Sequence, residues 1–158
     1  FEHRLAALYA SADTPRLSGV QIKAPMSLEP DGRLTPSVGA SFSHILKPAG
    51  TSGFEALPLI EWLGLSLARA IDLPTPEAAL VHMPDGMPPA LLVERFDIRE
   101  QADDPRWLAM EDMCSVLDLE PHDKYTGTIE RVARATRALS SAPEEDLLIL
   151  LRRVLFAW

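Results

Sequence analysis

The chain is poor in cysteine, in positive charge and in long apolar runs. Cys114 is the single cysteine in 158 residues, which excludes an internal disulfide and a cysteine-based zinc site. A reducing cytoplasm is the expected compartment. Lys and Arg number 15 against 23 Asp and Glu, for a net charge of −8. Non-specific nucleic-acid binding needs a basic footprint, so direct binding to DNA or RNA is not expected, although a partner can still touch DNA. No apolar run reaches the roughly 18 residues of a spanning helix, and no membrane association is expected. No charged-then-apolar leader pattern is read at the start. The chain begins at Phe1 and ends at Trp158 inside an apolar helical pattern, so a piece of a longer protein is expected. His3, His44, His82 and His122 lack metal-ligand spacing, and no metal site is expected within the chain.

What is present suffices for a core. Hydrophobic residues make up 47% of the chain, and its length fits one domain or two small lobes. Glu2 to Ala10 has the spacing of a short helix. Val20, Ile22 and Ala24 alternate with Gln21 and Lys23 as in a strand, which Met26 to Leu28 can continue. Glu29-Pro30-Asp31-Gly32-Arg33 has turn chemistry, since Asp-Gly supplies positive φ. Leu34 to Val38 is a weak strand, demoted by Pro36. Ser43 to Lys47 is a clearer one. Between Glu55 and Ile71, Leu59, Trp62, Leu63, Leu65, Leu67, Ala68 and Ile71 recur at helical spacing, and Pro74 ends the run. Ala78 to Met83 and Ala90 to Val93 read as strands around a second Pro-Asp-Gly turn at Pro84. Two such turns predict antiparallel pairs.

After Asp97 the pattern changes. Arg99 to Arg106 is charged and aperiodic, as in a surface crossing. Trp107 to Leu119, Ile129 to Leu139 and Glu144 to Trp158 read as helices, the last entered through acidic residues that suit the positive end of its dipole. The expected fold class is α+β. A kinase-like N-lobe over 1–97, an antiparallel sheet plus one main helix, precedes a linker and the first helices of a helical C-lobe over 98–158.

A twisted sheet with one helix, joined to a helical lobe, is how a two-lobed kinase begins. Gly19 in a turn lets backbone N–H groups approach phosphate oxygens. A strand lysine, Lys47, can neutralise phosphates, and Glu61 on the following helix can pair with it. Singly, these residues have ordinary readings too. Gly19 fits a turn before a strand, Lys47 a solvated strand end and Glu61 an exposed helix position. Cys114 fits a small hydrophobe on an apolar helix face.

The series Leu17-Ser18-Gly19-Val20-Gln21-Ile22-Lys23, His44-Ile45-Leu46-Lys47-Pro48, Leu91-Leu92-Val93-Glu94-Arg95-Phe96-Asp97, Glu111-Asp112-Met113-Cys114 and Lys124-Tyr125 resembles the HipA family of bacterial toxin kinases. Glu61 to Leu73 followed by Pro74-Thr75-Pro76 is similar to that family's helix pattern. The resemblance covers the chain from Leu17 onward, with its motifs in order.

The resemblance implies a Ser/Thr protein kinase of a toxin–antitoxin system that uses ATP and Mg²⁺. It implies a HipB-like DNA-binding antitoxin as partner and an aminoacyl-tRNA synthetase as substrate. Ser18, Gly19, Val20, Gln21, Ile22 and Lys23 match the family's phosphate loop, Lys47 its ATP-binding lysine, and Glu94, Arg95 and Phe96 its adenine-contacting hinge. Glu61 matches an acidic helix position. The family's catalytic Asp and Asn and its metal-binding Asp are expected beyond Trp158, so none is assigned here. Relatives autophosphorylate a Ser two residues before the position of Ser18. Arg16 stands there in this chain, which leaves Ser18 as the one candidate for such control within the loop. The alternatives are a non-catalytic kinase-like module that docks an antitoxin or regulator, and an unrelated α+β domain with chance matches.

Overall fold

The computed structural model describes residues 21–37, 42–50, 53–99 and 106–158. The chain divides into two compact units, residues 1–106 and 107–158. The fold is α+β, with a five-stranded antiparallel sheet in the first unit and helices in the second.

The sheet contains β1 (Ala24–Leu28), β2 (Leu34–Pro36), β3 (His44–Lys47), β4 (Ala78–Val81) and β5 (Ala90–Glu94), in the order β2-β1-β3-β5-β4. Every pairing is antiparallel. Both Pro-Asp-Gly segments turn the chain. In the first, Gly32 N donates to Glu29 O over 2.9 Å with Gly32 at φ +83, a three-residue loop closed by a left-handed glycine. In the second, Asp85 and Gly86 both take positive φ, and Met87 N donates to Pro84 O. Pro36 sits in the edge strand β2, where its missing N–H does no harm.

Strand β1 begins at Ala24, so Ile22, which the alternation predicts as strand, precedes it. Its ladder to β3 opens with Ala24 opposite Leu46, and Gln21 to Lys23 precede the strand. The helix expected from Glu2, together with Ser18, Gly19 and Val20, lies outside the described residues.

The strand period of two sorts the sheet into faces. One carries Ala24, Met26, Leu46 and Ala90, the buried core cluster, with Val81 and Leu92 packed on it. The register puts Lys47, Leu91, Val93, Ala78 and Leu80 on the other. Helix α1 (Leu57–Ala70) packs against β4 and β5. A recess between α1 and β4, lined by Trp62, Leu65, Arg69 and Ala78, shows that α1 covers the Lys47 face. Helix α1 ends by geometry as well as by Pro74. Asp72 adopts φ +57, Asp72 N donates to Arg69 O and Leu73 N to Ala68 O. This is a Schellman closure with Asp in glycine's usual place.

Two short strands, β6 (Ile98–Arg99) and β7 (Arg106–Trp107), form a separate ribbon. They lie at the two ends of the charged stretch that follows Asp97. The helix expected over Trp107 to Leu119 shortens to α2 (Met113–Val116). The Asp112 carboxylate accepts from Cys114 N and Ser115 N and fixes its start. A second Schellman closure, with Asp118 at φ +52 and Leu119 N donating to Cys114 O, fixes its end one turn later. A 3₁₀ turn (Pro121–Asp123) follows. Helices α3 (Ile129–Leu139) and α4 (Pro143–Ala157) pack on each other. Thr128 caps α3, and Pro143 with Glu144, Glu145 and Asp146 opens α4.

Candidate functional site

Lys47 ends β3, directly before the buried Pro48. Its ammonium is ion-paired with the Glu61 carboxylate. The two side chains keep only 17% and 31% exposure, so neither is an ordinary solvated charge. Glu61 lies one helical turn from the fully buried Pro58 and two turns from the buried Ala68. It therefore shares the inward stripe of α1. Residues 14 apart in sequence thus meet where strand and helix pack. Removing one member leaves the other half-buried and unpaired, the costly way to break such a pair.

Of the residues matched to the phosphate loop, Gln21, Ile22 and Lys23 are among those described, before β1. Gln21 Nε2 is buried without a hydrogen-bond partner among the described residues. Lys23 Nζ donates to Gln21 O over 2.8 Å, and Ile22 is 54% exposed.

At the end of β5, Glu94 and Phe96 are exposed while Arg95 is not. Arg95 Nε and Nη2 donate to the two Asp97 carboxylate oxygens over 2.9 and 2.6 Å. The guanidinium lies 4.0 Å from the centre of the Phe42 ring, a cation–π contact. Asp97 is buried. The Arg95 hydrogen bonds hold its carboxyl below the ordinary carboxylate value, against the opposing effect of burial. The backbone is tied as well. Arg95 N donates to Ser43 O and Glu94 N to Glu77 O, each over 2.9 Å.

The family profile of the HipA-like C-terminal domain matches residues 16–158. The chain belongs to the HipA-like family. No curated protein matches this HipA-like chain significantly. Among solved structures it is similar to a chain of the Shewanella oneidensis MR-1 toxin–antitoxin complex of HipA, HipB and operator DNA. The TM-score is 0.63 at 22% identity, over 94% of this chain and 38% of that one. The likeness shows a shared fold, and the HipA-like chain spans 38% of the solved chain's length.

The profile match takes in every site residue named from the sequence. Within the first unit of the HipA-like chain, Lys47 and Glu61 are brought together. Arg95 faces Asp97 and Phe42. Ser18, Gly19 and Val20 lie outside the described residues. Two neighbours of the site, Phe42 and Asp97, carry no assignment from the sequence. The Arg-x-Asp spacing of Arg95 and Asp97 was a usable signal, because one strand period puts them on the same side. Phe42 had no such signal, as it meets Arg95 only through the β3–β5 register. A shallow recess lined by His44, Glu77, Leu92 and Glu94 opens on the face opposite Lys47, since His44 and Lys47 differ by an odd number of strand positions. Among the described residues no group of His, Cys, Asp and Glu is arranged to hold a metal, and no helix is long and apolar enough to cross a membrane.

Proposed function

We propose that this HipA-like chain is the nucleotide-holding part of a Ser/Thr protein kinase toxin of a toxin–antitoxin system. In this reading residues 1–97 are a kinase-like N-lobe, and residues 98–158 are the linker and first helices of the C-lobe. The observation that carries it is the Lys47–Glu61 ion pair between the third strand of the sheet and α1. A strand lysine oriented by a helix glutamate is the arrangement by which kinases grip α and β phosphates.

The residues present fit ATP. Lys47 offers a half-buried cation held by a single carboxylate, and Gln21 Nε2 is a buried donor with spare capacity. ATP, when bound, supplies the phosphoryl group that is transferred. Lys47 neutralises phosphate charge and Glu61 keeps the ammonium in place. The backbone N–H groups of Ser18 to Lys23 donate to phosphate oxygens. The backbone of Glu94 to Phe96 reads the adenine edge. The catalytic base and the Mg²⁺ ligands are assigned beyond Trp158. The solved relative's HipB complex supports a HipB-like antitoxin as partner. The family resemblance supports an aminoacyl-tRNA synthetase as substrate, a cytoplasmic setting and Ser18 as the loop's own phosphorylation site.

The test is phosphoryl transfer by the full-length protein with labelled ATP and Mg²⁺. Label on the protein or on a synthetase, lost in Lys47→Ala, supports the kinase reading. ATP binding without transfer would instead indicate a non-catalytic module that docks a regulator.

A further inference from the structure

We propose that Arg95, Asp97 and Phe42 form a clamp whose task is to position the adenine-reading segment relative to Lys47. The proposal rests on the kinase reading above and assigns positioning residues to its nucleotide site.

The segment Glu94 to Phe96 leaves the sheet at the end of β5, where strand hydrogen bonding alone no longer fixes it. Two kinds of contact extend its order. Its backbone bonds to the residues just before both neighbouring strands, through Ser43 O and Glu77 O. Its central side chain is pinned by a two-pronged bond to Asp97 and capped by the Phe42 ring. Arg95 and Asp97 keep 15% and 11% of their side-chain exposure, a degree of burial that ordinary surface ion pairs lack. A planar guanidinium gripped on two oxygens and one face has almost no rotational freedom. That rigidity passes to the backbone of residues 95 to 97, on either side of Phe96.

The clamp also reaches Lys47. Phe42 and Ser43 immediately precede β3, whose other end is Lys47. Ser43 Oγ accepts from Leu28 N over 3.2 Å and lies 2.8 Å from His44 Nδ1, which anchors this strand start to β1. The register from His44 opposite Glu94 to Lys47 opposite Leu91 then sets the spacing between lysine and adenine reader, roughly 10 Å along the strand. A nucleotide that touches both points depends on that spacing. Asp97 and Arg95 therefore act through the segment they hold, without touching the ligand through their side chains.

The experiment is steady-state phosphoryl transfer by the full-length protein, with ATP and GTP titrated separately and melting temperature recorded for each variant. In Asp97→Asn the KM for ATP is expected to rise about tenfold with kcat within about twofold, and the preference for ATP over GTP to fall. Asp97→Glu, which keeps the carboxylate, is expected to recover part of the affinity. Arg95→Lys keeps the charge but loses the fork, and it is expected to raise KM even if Asp97→Asn does not fold. Folded Asp97→Asn or Arg95→Lys protein with wild-type KM for ATP and unchanged ATP preference, beside an active wild type, would overturn the clamp and leave the kinase reading intact. A wild type that neither binds nor uses nucleotide would overturn both.

Discussion

Asp97 and Glu61 are both carboxylates beside a basic side chain, and their surroundings separate their roles. Asp97 is buried and held below the ordinary carboxylate value by Arg95. A depressed folded pKa contributes stability that is present above the unfolded value, near pH ~4, and is lost as pH falls through the folded value. Asp97→Asn should therefore lower stability at neutral pH by about 1.5–3 kcal/mol and flatten the acid limb of the stability curve. Urea unfolding at a series of pH values measures both. Lys47 and Glu61 are less enclosed, and their worth is expected in turnover. Lys47→Ala should reduce phosphoryl transfer by about 100-fold or more, the scale of losing one preorganised charge. Glu61→Gln, which leaves the ammonium without its counter-charge, should give a smaller loss. Single-turnover assays on the full-length protein rank the two.

At the scale of elements, chain reversals and caps fix where each segment stops. A Cβ at Gly32 would meet nothing within 4 Å, yet its φ is +83. Gly32→Ala therefore tests backbone strain alone and should cost about 1–2 kcal/mol, read from the urea midpoint. Asp112 satisfies two N–H groups of α2 with one carboxylate oxygen. Asp112→Ala should cost about 1 kcal/mol, with the loss of order confined to residues 112–119 in amide exchange. The left-handed Asp118 explains why the pattern of apolar residues ran past the end of α2. A search for helix stops looks first for glycine or proline, and Asp118 is neither. The same reasoning accounts for β1. The alternation from Val20 has the right period, but a strand exists only where a partner strand bonds to it, and the described ladder starts at Ala24 opposite Leu46.

For the whole molecule, net charge and fold bear on partners. At −8 the chain carries a field that repels phosphate backbones. Fluorescence anisotropy with random duplex DNA at physiological salt should show no binding by the chain alone. In the proposed system, operator contact belongs to the HipB-like partner. The first unit holds every described residue proposed to touch nucleotide, so labelling of Lys47 by a lysine-reactive probe should be slowed by ATP. Unchanged labelling would count against the site.

The sequence alone determined the parts governed by local rules. Helices α1, α3 and α4, the two Pro-Asp-Gly turns and the antiparallel pairing follow from periodicity, φ preferences and caps, because these act within a few residues. The family motifs were legible for the same reason, as short runs of fixed spacing. Tertiary structure decided the rest. The union of Lys47 with Glu61 depends on α1 folding over one face of the sheet. Phe42 reaches Arg95 only through the register of β3 on β5. The β6–β7 pair joins residues on either side of a charged segment. Each of these is a contact between segments separated in sequence, so its energy appears only once the chain has folded.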